Sequence, residues 1–123
     1  MKSIKFNDEE YYTVKDVYTN LCVARTAIIN KLKRLEQSGD VLRIKNKRPE
    51  IYISQKGYNK LKEERIKYLD EEIAKAPNQD MKEYYQKFRD AIGKPELWDE
   101  YHKHIVMGTL YYNQGDLVAK EIR

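Results

Sequence analysis

The chain has 123 residues, a length that predicts a single core of domain size. It carries 24 Lys or Arg against 20 Asp or Glu, which gives a net charge of +4. No apolar run approaches the ~18 residues of a membrane span or forms the core of a signal peptide, so we expect a cytoplasmic protein. The single cysteine, Cys22, excludes an internal disulfide, and with no Cys or His nearby it indicates a small buried hydrophobe rather than a metal ligand.

Positive charge is concentrated in the first half of the chain. Residues 1–60 hold thirteen Lys and Arg against seven Asp and Glu, whereas residues 61–123 hold eleven against thirteen. A basic half followed by a slightly acidic half is typical of a polyanion-binding module attached to an assembly module. The alternative is a basic surface that has no partner.

The first twelve residues carry little pattern. Ile4 and Phe6 alternate with polar residues and predict either a short strand or an apolar tag beneath the first helix, while residues 8–12 predict a helical turn or a simple lead-in. Thr13 is the expected N-cap of the first clear helix, with Asp16 three residues later in the position of a capping-box carboxylate.

Residues 13–35 contain two short amphipathic runs separated by a hinge at residues 21–24. Apolar residues recur at three- and four-residue spacing in each run, which predicts two helices packed against each other. The first stripe is Val14, Val17, Tyr18 and Leu21, and the second is Ile28, Leu32 and Leu35. The second run, residues 25–35, carries donors suited to phosphates and base edges on its other face, and we predict that it is a DNA-reading helix. These donors are Arg25, Thr26, Asn30, Lys33 and Arg34.

A basic hairpin is predicted next. Gly39 marks the end of the second helix, residues 41–45 and 50–54 have the β-branched and aromatic content of strands, and residues 46–49 form a polar turn. Lys45, Lys47 and Arg48 lie at the tip, where they are suited to phosphate contacts.

The hinge region resembles that of many bacterial helix-turn-helix proteins. In those proteins the sequence pattern is a small residue, three others, Gly, Val, Ser, Arg, Thr and then a β-branched residue. Four residues fit this pattern, namely Val23, Arg25, Thr26 and Ile28, while Tyr18, Cys22 and Ala24 occupy the small, Gly and Ser positions. Cys22 and Ala24 depart from residues that normally supply a positive φ and a helix cap.

The next helix starts at Ser54-x-x-Gly57, with Ser54 as its expected N-cap. With the hairpin and this helix start, residues 13–62 resemble winged helix-turn-helix proteins of the MarR and PadR type. The resemblance implies an α+β fold, mainly α with a small β-hairpin wing, and DNA binding. We therefore expect a winged helix-turn-helix domain at 1–60 and a helical extension at 61–123 for dimerisation or partner binding. The helix that usually precedes this pair is either truncated or supplied by the second half.

Helical patterns dominate the second half. A helix over 55–76 ends at Pro77, a second over 81–92 follows with Asp80 as its expected cap, and a third opens at Pro95. The spacing of Ile66, Leu69 and Ile73, together with Trp98, predicts an interface that is either a homodimer seam or packing within the chain.

No catalytic motif is present, so we expect no enzyme activity and no cofactor. The spacing of His102 and His104 points them to nearly opposite sides of a helix, which disfavours a metal site. The leading interpretation is a small homodimeric bacterial transcriptional regulator that binds duplex DNA. The alternative is an accessory protein of a plasmid, phage or other mobile element, whose eleven tyrosines stack on single-stranded DNA or whose C-terminal helices dock a replication or recombination enzyme.

Overall fold

The computed structural model describes residue 1, residues 3–45 and residues 50–101. Over these residues the fold is α+β, as expected, with five α-helices and a four-stranded antiparallel sheet of order β1-β2-β4-β3. A 3₁₀ turn at Pro95–Leu97 leads into helical residues 98–101, where the described part of the chain ends. The elements in chain order are β1 (Ile4–Phe6), β2 (Glu9–Thr13), α1 (Val14–Leu21), α2 (Arg25–Ile29), α3 (Leu32–Gln37), β3 (Val41–Ile44), β4 (Glu50–Ser54), α4 (Gln55–Lys75) and α5 (Gln79–Ala91).

The N-terminal residues form a hairpin. Of the two alternatives for Ile4 and Phe6 the strand is confirmed, and the helical turn considered for residues 8–12 is wrong because these residues form most of β2. Asn7 and Asp8 connect the strands with φ values of 50° and 63°, the positive angles that a two-residue type I′ turn requires. Since β2 also pairs with β4, the N-terminus is part of the central sheet.

Two of the three predicted helix caps are confirmed. The Thr13 hydroxyl accepts from the Asp16 N–H at 3.0 Å, and the Ser54 hydroxyl accepts from the Gly57 N–H at 3.0 Å. The prediction for α5 is wrong, because Asn78 rather than Asp80 supplies the cap by accepting from the Met81 N–H at 2.9 Å. An N-cap bonds two or three residues ahead, and Asp80 already lies in the first turn.

The main core lies between the helices and one face of the sheet. Its buried residues come from six elements: Tyr12, Val17, Leu21, Ile28, Leu32, Leu35, Ile53, Tyr58 and Leu61. They include the whole second predicted stripe and Val17 and Leu21 of the first, while Val14 and Tyr18 are partly buried and pack against the cluster. A second cluster joins Cys22 to Leu69, Phe88 and Ala91, and Ile92 packs against both clusters. The predicted boundary between residues 60 and 61 thus falls inside α4, whose buried side chains enter both clusters.

A buried carboxylate ties the start of α4 to the end of α3. Asp40 accepts from Ser38 Oγ at 2.6 Å, from Ser54 Oγ at 3.1 Å and from Lys60 Nζ at 2.8 Å. Burial alone would raise the pKa of the Asp40 carboxyl, but the bonds from Lys60, Ser38 and Ser54 and the Lys60 charge outweigh it and hold the pKa below its ordinary range.

Gly57 packs tightly against this carboxylate. A Cβ at Gly57 would lie 2.9 Å from Asp40 Cβ and 3.1 Å from Ile53 Cγ2, so the glycine of the Ser-x-x-Gly start is required for the close approach of α4 to Asp40 and Ile53.

Among the described residues, no helix is both long and apolar enough to cross a membrane.

Candidate nucleic-acid interface

The predicted reading helix, residues 25–35, is interrupted. The structure has α2 at Arg25–Ile29 and α3 at Leu32–Gln37, with Asn30 and Lys31 between them. The Asn30 N–H still bonds four residues back, to Thr26 O at 3.0 Å, but the Lys31 N–H bonds three residues back, to Ile28 O at 2.9 Å. Ile28 and Ile29 are β-branched and Asn30 follows them, so this stretch has low helix propensity. The low propensity accounts for the switch from four-residue to three-residue hydrogen bonding at Lys31.

The interruption leaves the amphipathic arrangement intact. Ile28, Leu32 and Leu35 are 2%, 6% and 2% exposed, so both short helices bury the predicted stripe. All five predicted donors are exposed, and four of them form a group apart from Arg34, which pairs with a carboxylate of α4. We call these four, Arg25, Thr26, Asn30 and Lys33, the reading face.

The fifth predicted donor, Arg34, lies toward α4. Its guanidinium donates to Glu64 at 2.8 Å, and Lys31 Nζ lies 3.9 Å from the same carboxylate. Both partners are largely exposed, so the pair adds at most about 1 kcal/mol to stability. Its effect is instead to offset the charge of Arg34 and to link α3 to α4.

Several other cations are paired as well. Arg43 pairs with Glu36, Lys60 with Asp40, and Arg89 with Asp70. Within residues 3–45 and 50–101, by contrast, the two cations of the reading face make no ion pair. Their charge is therefore available to an external anion.

Both strands of the predicted wing are confirmed, and they lie directly after the reading face in the chain. β3 and β4 pair antiparallel, with Val41 opposite Ile53 and Ile44 opposite Glu50. Lys45 follows β3 and is exposed. The other two predicted tip residues, Lys47 and Arg48, lie outside the described residues, as do His102 and His104.

In the turn between α1 and α2, a residue other than glycine has a positive φ. Cys22 occupies the position where glycine is usual and has φ 55°, ψ 53° in the left-handed region. Its side chain is fully buried, which confirms the expected small hydrophobe, and burial raises the pKa of its thiol against a smaller opposing effect of Arg65 and Lys87. Ala24 is the N-cap of α2 and makes no side-chain cap bond.

No known protein family, curated protein or solved structure matches the chain. Its function is therefore inferred from its own residues.

The predicted interface residues divide into two groups. Leu69 is 1% exposed and packs on α5, and Trp98 packs on Tyr18 with ring centroids 5.3 Å apart, so both have partners within the chain. Ile66 and Ile73 are half-buried. Ile66 lines a shallow groove on α4 together with Glu63, Lys67, Asp70, Glu71 and Ala74.

Trp98 also fixes the turn before α2. Its indole N–H donates to the carbonyl oxygen of Val23 at 2.9 Å, seventy-five residues away in sequence. Nearby, the Gly93 N–H donates to the Asn20 carbonyl at 2.8 Å, and Asn20 Oδ1 accepts from the Tyr58 hydroxyl at 2.6 Å. Groups from α4 and from residues 93–98 therefore position the end of α1 and the turn.

Two residues that the sequence patterns do not single out are notable in the structure. Ile29 is 37% exposed beside the reading face. The sequence could have predicted this exposure, because adjacent residues on a helix point about 100° apart and only Ile28 fits the apolar stripe. Arg65 on α4 has a buried Nε that finds no hydrogen-bond partner among the described residues, and its guanidinium lies 5.6 Å from the ring centre of Tyr68. Burial lowers the pKa of Arg65.

Proposed function

We propose that residues 9–62 form a winged helix. The supporting observation is the order strand, helix, turn, helical segment and hairpin, in which β2 pairs with the second strand of the hairpin. The helix usually found before this pair would be replaced by α4, since Tyr58 and Leu61 are buried in the same cluster as Val17 and Leu32.

The proposed function is binding of duplex DNA, and one observation carries it: the two cations of the reading face are exposed and unpaired among the described residues. Arg25 and Lys33 would contact phosphates or guanine, and Asn30 would read a base edge in the major groove. Lys45, Lys47 and Arg48 would hold the backbone alongside.

In this proposal the protein is a cytoplasmic, homodimeric bacterial transcriptional regulator. Two reading faces would have to lie about one helical turn apart, ~34 Å, to engage adjacent half-sites. Since Leu69 packs within its own chain, the dimer contact would use the outer side of α4, where Ile66 lines the shallow groove.

The test is a salt-dependent titration of the full chain against a random-sequence duplex and one of its single strands, followed by fluorescence anisotropy. A variant carrying Arg25→Gln and Lys33→Gln should bind the duplex more weakly, and its plot of log K against log salt should be shallower by about 0.9 for each phosphate that the variant no longer neutralises. Asn30→Ala should instead relax selectivity among sequences, and neutralising Lys47 and Arg48 should weaken all sequences alike.

The matched control carries Lys75→Gln and Lys82→Gln, the same change in charge placed on α4 and α5. Its salt slope should equal that of the unmodified chain. Equal slopes in the control and the reading-face variant would refute the assignment of the reading face.

A single strand bound more tightly than the duplex would favour the accessory-protein alternative. The described tyrosines give that alternative limited support. Tyr11, Tyr12 and Tyr58 are buried, and among residues 3–45 and 50–101 only Tyr68 is an exposed tyrosine, at 47%.

A further inference from the structure

Ile29 is an apolar residue exposed beside a polar surface. It is 37% exposed, while its neighbour Ile28 is 2% exposed and fills the core. Arg25 and Thr26 lie four and three residues before Ile29 on α2, so they share its side of the helix, and exposed Asn30 follows it directly. The side chain therefore lies within the reading face, bordered by three hydrogen-bonding residues.

Ile29 belongs to neither core cluster of the described residues. A β-branched residue restricts the helix, and α2 ends at Ile29. Alanine, lysine or glutamate would stabilise a solvated helix position more than isoleucine does. The exposed part of the Ile29 side chain is available for a contact outside the chain.

The major groove presents one apolar group, the 5-methyl of thymine, and small apolar side chains contact it there. Asparagine next to it pairs bidentately with adenine through N6 and N7. We propose that Ile29 packs against a thymine methyl while Asn30 reads adenine, so that the bound half-site contains neighbouring A·T pairs. This inference rests on the proposed function and names the bases that the reading face selects.

Replacing thymine by uracil removes only the methyl group and leaves every hydrogen-bonding edge of the base pair unchanged. The probe is a duplex enriched from a random-sequence library by repeated binding to the full chain, remade with uracil at one thymine at a time. At the contacted thymine the unmodified chain should lose about fourfold in affinity, the equilibrium factor for exposing one methyl-sized group.

Ile29→Ala should bind the thymine and uracil duplexes equally, and it should fold because alanine is the better helix former. The matched control is Ile4→Ala, which truncates an isoleucine of the same 37% exposure on β1 and should keep the preference for thymine. Equal binding of thymine and uracil duplexes by the unmodified chain at every position would overturn the inference while leaving duplex binding in place. A preference for thymine that persists in Ile29→Ala would also overturn it. If no duplex is enriched above the random pool, the proposed function fails, and the inference fails with it.

Discussion

The buried carboxylate of Asp40 should make the stability of this protein depend on acid pH. Asp40→Asn keeps the size of the side chain but replaces one carboxylate oxygen by an NH₂ group that cannot accept. With the amide oxygen in the place of Oδ2, the bonds from Ser38 and Lys60 remain without the negative charge and the bond from Ser54 is lost; with it in the place of Oδ1, only the bond from Ser54 remains.

The expected loss follows from those bonds. A neutral hydrogen bond contributes about 1 kcal/mol net, and one to a charged group about 1.5–3 kcal/mol. Lys60 is partly exposed, which places its bond at the low end, and removing the buried charge offsets part of the loss. We expect Asp40→Asn to lower the free energy of unfolding by about 2 kcal/mol at pH 7.

The pH dependence has a definite sign. Because the folded pKa of Asp40 lies below its ordinary value of 3.8, the carboxylate stabilises the fold above that value, and the stabilisation is lost as pH falls through the folded pKa. The difference between the unmodified chain and Asp40→Asn should therefore be constant near neutrality and should shrink below about pH 4.

Urea unfolding followed by circular dichroism at a series of pH values measures this difference. Asp99→Asn, an exposed aspartate outside both core clusters, is the control and should change stability by less than about 0.5 kcal/mol. The reasoning is refuted if Asp40→Asn is as stable as the unmodified chain at pH 7, or if its deficit is undiminished at about pH 2.

Three further stability changes are expected in urea unfolding. Ala24→Ser supplies the side-chain cap that α2 lacks and should raise the free energy of unfolding by about 1 kcal/mol. An unchanged urea midpoint would mean that the serine hydroxyl does not reach the N–H groups at the start of α2. Arg65→Met removes a buried Nε that has no partner in the described part of the chain and should raise the free energy of unfolding by about 1 kcal/mol, whereas Arg89→Met, which breaks an ion pair, should not raise it. Equal effects of the two substitutions would show that burial of Arg65 is not the cause. Gly57→Ala should lower the free energy of unfolding by about 1 kcal/mol or more, because the close contact of the new Cβ with Asp40 Cβ outweighs the better helix propensity of alanine. A stabilised variant would show that α4 can move away from Asp40 and Ile53 without cost.

Local signals in the sequence predict much of this fold. Thr13 and Ser54 are recognisable as caps because a cap bond spans only three residues, and the stripe of Ile28, Leu32 and Leu35 is buried as predicted because its spacing is fixed by helix geometry. The N-terminal hairpin is harder to predict because Asn7-Asp8 lacks the glycine that usually marks a type I′ turn.

Contacts between residues distant in sequence are beyond such prediction. Glu64 pairs with Arg34 thirty residues away, which withdraws one of five expected donors from the reading face, and no periodicity in either segment indicates the pairing. The break between α2 and α3 is likewise hidden, since propensity is a weak signal within a strong apolar stripe.

Trp98 is the only tryptophan of the chain, and its indole N–H is bonded to the backbone of the turn before α2. The protein thus carries a built-in fluorophore whose ring reports on the backbone that orients the reading face, without labelling or mutation. Any ligand that shifts this turn would change the wavelength of tryptophan emission, and a ligand that leaves the turn in place would not.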